Sequence, residues 1–275
     1  SIKVMSVAGG VVYVAGDGGF QGHSSGDVYA LRMSNGSLLW QYTISGGCCR
    51  GLVVTPTTIY IGELDHVDAV KVSNRTLLWH HPLDQGSALL GIVVADEKVY
   101  VGTAVIDYKG PPKGSVDALR ANDGTLAWHN QTNIASVVLT VENGVVYVGE
   151  FWGNVLDTLR SSDGSLIWQD KDKDSGDRGI VAATVMDDVA YITSVTVGYA
   201  DNGSTVDALQ VKGGTHLWRY KIDKGQIGDA VAANELVYVS GPHGITALDG
   251  KNGNQRWFFA ATNSTTLPVA FTVGP

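Results

Sequence analysis

Six times along this chain a Tyr inside a short β-branched run is followed, a set interval later, by a Trp. The tyrosines are Tyr13, Tyr60, Tyr100, Tyr147, Tyr191 and Tyr238; the tryptophans are Trp40, Trp79, Trp128, Trp168, Trp218 and Trp257. Self-similarity at a period of several tens of residues belongs to propellers, solenoids and arrays, in which one unit cannot bury its apolar face alone. The Tyr-to-Trp separations run 27, 19, 28, 21, 27 and 19 residues, long and short in strict alternation. Trp40 to Trp128 is 88 residues, Trp128 to Trp218 is 90, and Trp79 to Trp168 and Trp168 to Trp257 are 89 each. The units therefore come in pairs, as three tandem copies of a two-unit module.

Within one unit, the runs VVYVAG, DVYALRM and SLLWQYTI read as strands bounded by Gly, Asn, Asp or Ser, with a weaker run from Lys3 to Val7 ahead of them. Four antiparallel strands, A to D, make one blade, and no segment of helical length carries a 3.6-residue period. A lone four-stranded sheet cannot cover both faces, so the blades must pack face to face. The expected fold is all-β: a six-bladed β-propeller, pseudo-threefold from its two-blade modules, in a single domain spanning 1–275. Blades are placed near 1–44, 45–83, 84–132, 133–171, 172–222 and 223–261. Residues 262–275 are expected to clasp the termini as a closing strand or to open a seventh blade.

The twelve repeated aromatics are then core. Five of the six tryptophans follow a turn glycine by four residues, at Gly36, Gly124, Gly164, Gly214 and Gly253, while blade 2 has Arg75 in that place. This spacing lets each indole bridge to a neighbouring turn and donate its N–H there.

A net charge of −8, with 19 basic and 27 acidic residues, disfavours binding to a phosphate backbone, so no nucleic-acid partner is expected. The apolar runs are strand-sized, well short of the roughly 20 residues that cross a bilayer as a helix, so no transmembrane segment is expected. The chain opens on Ser1, as it would after loss of a leader or as a portion of a larger protein. Sequons at Asn35, Asn74, Asn130, Asn202 and Asn263 suit export, although Asn35 and Asn74 equally suit tight turns. An extracytoplasmic or secreted monomer is expected.

The succession VYVG, then VYAL or VDAL, then a turn such as NDGTLAW resembles the repeat of the pyrroloquinoline-quinone-type propellers, shared by quinoprotein dehydrogenases and outer-membrane assembly lipoproteins. The likeness covers blades 1 to 6. In those quinoproteins a vicinal disulfide, followed shortly by Arg-Gly, stacks on the cofactor. Cys48-Cys49-Arg50-Gly51 resembles a shortened version, which implies a disulfide between Cys48 and Cys49 over the quinone and Arg50 on its carboxylates. Read without the resemblance, the adjacent cysteines form either an eight-membered ring or two thiols, the ring being favoured where the compartment is oxidising. No match to the family's calcium ligands or base is found, and no haem-attachment C-x-x-C-H occurs.

The long insertions all fall between strands B and C, at Asp17 to Gly26, Thr103 to Gly114 and Ser194 to Ser204, so three loops rise on one face at alternate blades. Function concentrates on such loops. On that face the candidate ligand residues are Cys48, Cys49, Arg50, Glu63, His66, Glu150, Trp152, Arg178 and His243. They either line a mixed-charge pocket or are solvated turn residues. Asp68, Asp117, Asp157 and Asp207 share one repeat position, as a ring of acids or as acceptors from a neighbouring blade. The run from Asp170 to Gly179 resembles a calcium loop with Asp170, Asp172 and Asp174 as candidate ligands, but its Gly comes one place late and no Glu closes it. Gly22-His23-Ser24-Ser25-Gly26 matches a nucleophile elbow in pattern only, since it leads into a strand.

The function expected from these residues is a non-catalytic recognition scaffold that binds a protein or small ligand without a cofactor. The alternative is a quinoprotein-like oxidoreductase with pyrroloquinoline quinone and calcium.

Overall fold

The computed structural model describes residues 2–16, 26–44, 49–105, 113–132, 135–150, 154–171, 178–196, 203–222, 227–228, 230–241 and 243–260. The expected closing strand 262–275 lies outside them, as do the tips of the three long loops.

Among the described residues every element is a strand, and the strands form six four-stranded antiparallel sheets. Blade 1 comprises β1 (Ile2–Ala8), β2 (Val11–Gly16), β3 (Gly26–Arg32) and β4 (Leu38–Ile44). Blade 2 comprises β5 (Gly51–Val54), β6 (Thr58–Gly62), β7 (His66–Lys71) and β8 (Leu77–Pro82). Blade 3 comprises β9 (Ser87–Ala95), β10 (Lys98–Val105), β11 (Gly114–Arg120) and β12 (Leu126–Thr132). Blade 4 comprises β13 (Ser136–Glu142), β14 (Val145–Glu150), β15 (Val155–Arg160) and β16 (Leu166–Lys171). Blade 5 comprises β17 (Arg178–Met186), β18 (Val189–Thr196), β19 (Ser204–Gln210) and β20 (His216–Ile222). Blade 6 comprises β21 (Ala230–Ala233), β22 (Leu236–Gly241), β23 (Gly244–Asp249) and β24 (Gln255–Ala260). The four strands of each blade are A to D in order, as a six-bladed β-propeller requires. The chain falls into two compact units, Ser1–Val138 and Leu139–Pro275.

Turn chemistry sets the meander. In every blade but blade 2, strands A and B join through two-residue turns in which both residues take positive φ: Gly9-Gly10, Asp96-Glu97, Asn143-Gly144, Asp187-Asp188 and Asn234-Glu235. Such turns carry the twist of paired strands across a two-residue hairpin. In all six blades the C–D pairing slips by one residue at the same place, between Ala30/Leu31, Ala69/Val70, Ala118/Leu119, Thr158/Leu159, Ala208/Leu209 and Ala247/Leu248. The slip absorbs the residue just before each Trp and leaves the Trp paired with strand C.

The core lies between successive sheets. Tyr13, Val28 and Ile44 of blade 1 pack with Leu52, Ile59 and Ile61 of blade 2, and Tyr191 and Val206 of blade 5 pack with Val237, Val239 and Leu248 of blade 6. Each of those side chains, once fully buried, contributes about 1.5–3 kcal/mol. The indole bridges form as expected: Trp79 Nε1 donates to Ala121 O at 3.0 Å, Trp168 to Val211 O at 2.7 Å and Trp218 to Gly250 O at 2.9 Å. A Cβ on Gly124, Gly214 or Gly253 would come within 2.6–2.7 Å of the indole docked on it. Only a glycine lets the turn lie flat on the ring. The expectation that all twelve aromatics are core needs one correction: Trp257 is 44% exposed.

Candidate functional site

The B–C connection of blade 2, between β6 and β7, lies wholly within the described residues. It is a tight turn in which Glu63 N donates to His66 O at 2.9 Å, and it is pinned through Leu83 N, just after β8, to Asp65 O (2.8 Å) and through Leu89 N of blade 3 to Leu64 O (3.0 Å). The residues expected to be either pocket-lining or solvated are here buried: Glu63 is 0% and His66 7% exposed. His66 Nε2 lies 3.1 Å from Glu63 Oε1 and 3.8 Å from Asp68 Oδ2, while its Nδ1 is 2.8 Å from Asp65 Oδ1. Burial alone would pull the His66 imidazole down, but Asp65, Glu63 and Asp68 together outweigh it and hold its pKa above the ordinary value. On the other side of Asp68, His80 Nδ1 bonds its Oδ1 at 2.7 Å, and the two imidazole rings lie 4.7 Å apart.

Asp68 belongs to the repeated acids, and their partner differs from the expected one. Each bonds the residue directly opposite on strand D of its own blade, not a neighbouring blade: Asp68 with His80, Asp117 with His129, Asp157 with Gln169 (2.8 Å) and Asp207 with Arg219. A cross-strand pair is the nearest donor available to a side chain standing out of a pleated sheet. All four are buried and turned toward the outer strand, so they form a joint inside each blade and not a channel lining. Burial raises the carboxyls of Asp117 and Asp157 above the ordinary range against the pull of His129 and Gln169.

Glu150 ends strand B of blade 4 and is also buried. Burial, with the charge of Asp157 adding to it, pushes its carboxyl up to about 7. An alternation in step with the Tyr-to-Trp intervals runs through blades 2 to 5 here, while blades 1 and 6 have Gly16 and Gly241 in the same place. Three residues after the repeat Tyr stand Glu63 and Glu150 in blades 2 and 4, but Thr103 and Ser194 in blades 3 and 5. Those hydroxyls bond Ser115 Oγ (2.9 Å) and Thr205 Oγ1 (2.8 Å), which reach Asp117 and Asp207 in turn. The composition of single strands does not announce this relay; it is legible only once the six repeats are aligned.

Other predicted site residues do not converge with this turn. Cys49 is 2% exposed and turns its Sγ to Gly51 O at 3.3 Å, while Arg50 is exposed. Cys48 and Trp152 lie outside the described residues, as does the side chain of Arg178. The acidic run with a partial likeness to a calcium loop begins in a strand: Asp170 and Lys171 finish β16, and Asp170 Oδ2 meets His216 Nε2 at 3.1 Å. Asp172 and Asp174 lie outside the described residues. His243 is exposed and borders a cavity of about 370 Å³ in the second unit, with Tyr220, Ile222, Val239, Thr246 and Phe258 among its walls. This cavity opens beside the B–C turn of blade 6 and the end of strand D of blade 5, on the loop-bearing face.

Of the cysteine pair that the resemblance would stack on a quinone, Cys49 is buried against the Gly51 carbonyl, and Cys48 lies outside the described residues. Glu63, the acid nearest in sequence, is engaged with His66. The chain is similar in fold to BamB from Moraxella catarrhalis, at 16% identity over 98% of this chain and 90% of that one, with a TM-score of 0.59. It is likewise similar to the quinohemoprotein alcohol dehydrogenase ADHIIG from Pseudomonas putida HK5, at 12% identity over 94% of this chain but 66% of that one, TM-score 0.58. A third similar structure, the quinohemoprotein alcohol dehydrogenase from Comamonas testosteroni, gives 12% identity, coverages of 96% and 67%, and a TM-score of 0.59. No curated protein matches the sequence. Two matches to one family model, over residues 49–199 and 153–273, take in most of the repeat, and the chain therefore belongs to the pyrroloquinoline-quinone-type repeat family described as outer membrane protein assembly factor BamB.

Proposed function

We propose that this chain is a non-catalytic recognition scaffold, acting outside the cytoplasm, that binds a protein partner on the face carrying the B–C connections. The observation that carries this reading is the cavity of about 370 Å³ on that face. Its Ile222, Val239 and Phe258 give apolar walls, and Tyr220, Lys221, His243 and Gln255 supply polar groups at its margin. Ligand sites of this make-up span roughly 300–1,000 Å³, and the volume has room for one or two side chains of an extended segment. Membership of a family described as an assembly factor supports a protein as the occupant.

Photo-crosslinking side chains placed at His243 and Lys113, on the loop-bearing face, and at Asp123 and Asp163, in the C–D turns of the other face, test the proposal in cells that produce the protein. Discrete adducts from the first pair alone are expected. Adducts of equal yield from both faces, or from neither, would sink it. The competing quinoprotein reading is tested separately, by adding pyrroloquinoline quinone and calcium to purified protein; an absorbance or melting-temperature shift supports that reading, and neither defeats it.

A further inference from the structure

We infer that blade 2 carries a site for one divalent transition-metal ion of the zinc class, built from His66, Asp68 and His80 with Glu63 behind them. The three residues can each present one donor atom with all three atoms within 4.8 Å of one another. Two imidazole nitrogens with a carboxylate oxygen make a donor set that suits zinc and its neighbours, whereas calcium and magnesium prefer oxygen alone.

Blade 2 differs here from its copies. The joint between strands C and D needs one donor for its acid, and His129, Gln169 and Arg219 each meet that need in blades 3, 4 and 5. His80 does the same for Asp68. His66 is thus a second imidazole that the joint does not require, and the equivalent positions in blades 3, 4 and 5 hold Ser115, Val155 and Thr205. Its Nε2 is buried and makes no hydrogen bond, although it faces carboxylate oxygens of Glu63 at 3.1 Å and Asp68 at 3.8 Å. Two imidazole nitrogens and a carboxylate oxygen gathered this closely are the arrangement that a shared cation would draw together. His66 Nδ1 is held by Asp65 at 2.8 Å, the outer contact that fixes the ring so that Nε2 faces the ion. The pinned turn holds His66 in place before any ion arrives. His80, half-exposed, leaves a way in from strand D. Tyr42 of blade 1 faces the same group, its hydroxyl held up chiefly by burial and further by the charges of Asp68 and Glu63.

The test is zinc titration of untagged, metal-stripped protein by calorimetry, with cobalt(II) absorbance as a readout of the ligands. The wild type is expected to take up one zinc per chain and to give an intense tetrahedral cobalt spectrum. His80→Asn can still donate to Asp68, so it keeps the joint and should fold, yet it should lose the cobalt spectrum and most of the zinc affinity. Glu63→Gln should weaken binding by roughly 10–100-fold, as for a group that supports the ligands. His129→Asn, the same change in blade 3, should bind as the wild type does. Wild-type protein that takes up no more zinc than His80→Asn, or loses it equally in His129→Asn, overturns the inference.

Discussion

The guanidinium of Arg75 lies over the ring of Trp40, with its central carbon 6.0 Å from the ring centroid. Later blades cover the preceding indole with a glycine turn, as Gly124 covers Trp79, Gly214 covers Trp168 and Gly253 covers Trp218. Arg75 keeps the positive φ of those glycines, at 62°, and replaces a flat turn with a cation on the ring face. The strain of a non-glycine residue there costs about 1 kcal/mol and the cation–π contact returns roughly 0.5–1 kcal/mol. Replacing Arg75 with Ala keeps the strain and loses the contact, while Gly loses both. Denaturant unfolding should therefore rank Arg75→Gly close to wild type and Arg75→Ala about 0.5–1 kcal/mol below it. Arg75→Ala as stable as the wild type would show that the ring contact contributes nothing.

Gly124 and Gly36 have nearly the same φ, 70° and 69°, but different surroundings. A Cβ on Gly124 would meet Trp79 at 2.6 Å, and one on Gly36 would meet nothing within 4 Å. Gly36→Ala should cost about 1 kcal/mol from backbone strain alone. Gly124→Ala adds a forced shift of the indole, typically a further 1–3 kcal/mol. Comparing the two unfolding midpoints isolates that steric cost, and a difference near zero would refute the docking of Trp79 on this turn.

The joint in blade 5 joins Asp207 to Arg219, and the one in blade 4 joins Asp157 to Gln169. Arg219→Gln imports the blade 4 pair and is expected to cost under about 1 kcal/mol, close to a neutral hydrogen bond. Arg219→Leu leaves a buried carboxylate without that donor and should cost about 2–3 kcal/mol. Urea melts of both variants check the order.

Glu150 gives the fold a pH dependence of unusual sign. Its folded pKa of about 7 lies above the ordinary value of 4.5, so the folded state holds the proton more tightly than the unfolded chain. Its contribution is fully present below about pH 4.5 and is lost as pH rises through 7. Between pH 5 and 8 the wild type should lose stability relative to Glu150→Gln, by about 2–3 kcal/mol. Parallel stability profiles of the two proteins across that range would exclude a buried, protonated Glu150.

Repeat, blade order and strand identity were open to reading because Tyr, Trp and turn residues recur at fixed offsets, and each offset reflects a backbone requirement that a side chain reveals. The C–D slip escaped notice because the extra residue is Leu39, Leu78, Ala127, Ile167, Leu217 or Arg256, and a bulge demands no residue type in common. Burial of Glu63 and His66 was likewise hidden: a charged pair in a short turn reads as solvated, and only packing of the blade 3 entrance over Leu64 and Asp65 reverses that. The acid ladder was visible as repetition, but its partners were not. His80, His129, Gln169 and Arg219 share no chemistry beyond a donor twelve residues downstream.

The indole bridges run forward along the chain, and this imposes an order on synthesis. Trp79 waits for a carbonyl 42 residues ahead, Trp168 for one 43 ahead and Trp218 for one 32 ahead. At roughly 5–20 residues per second on the ribosome, each such blade spends some seconds with its outer strand made and its indole bare. Nascent protein is therefore stickiest at its growing end, always one blade behind completion, and a pause just after a Trp is the moment at which a chaperone has most to hold.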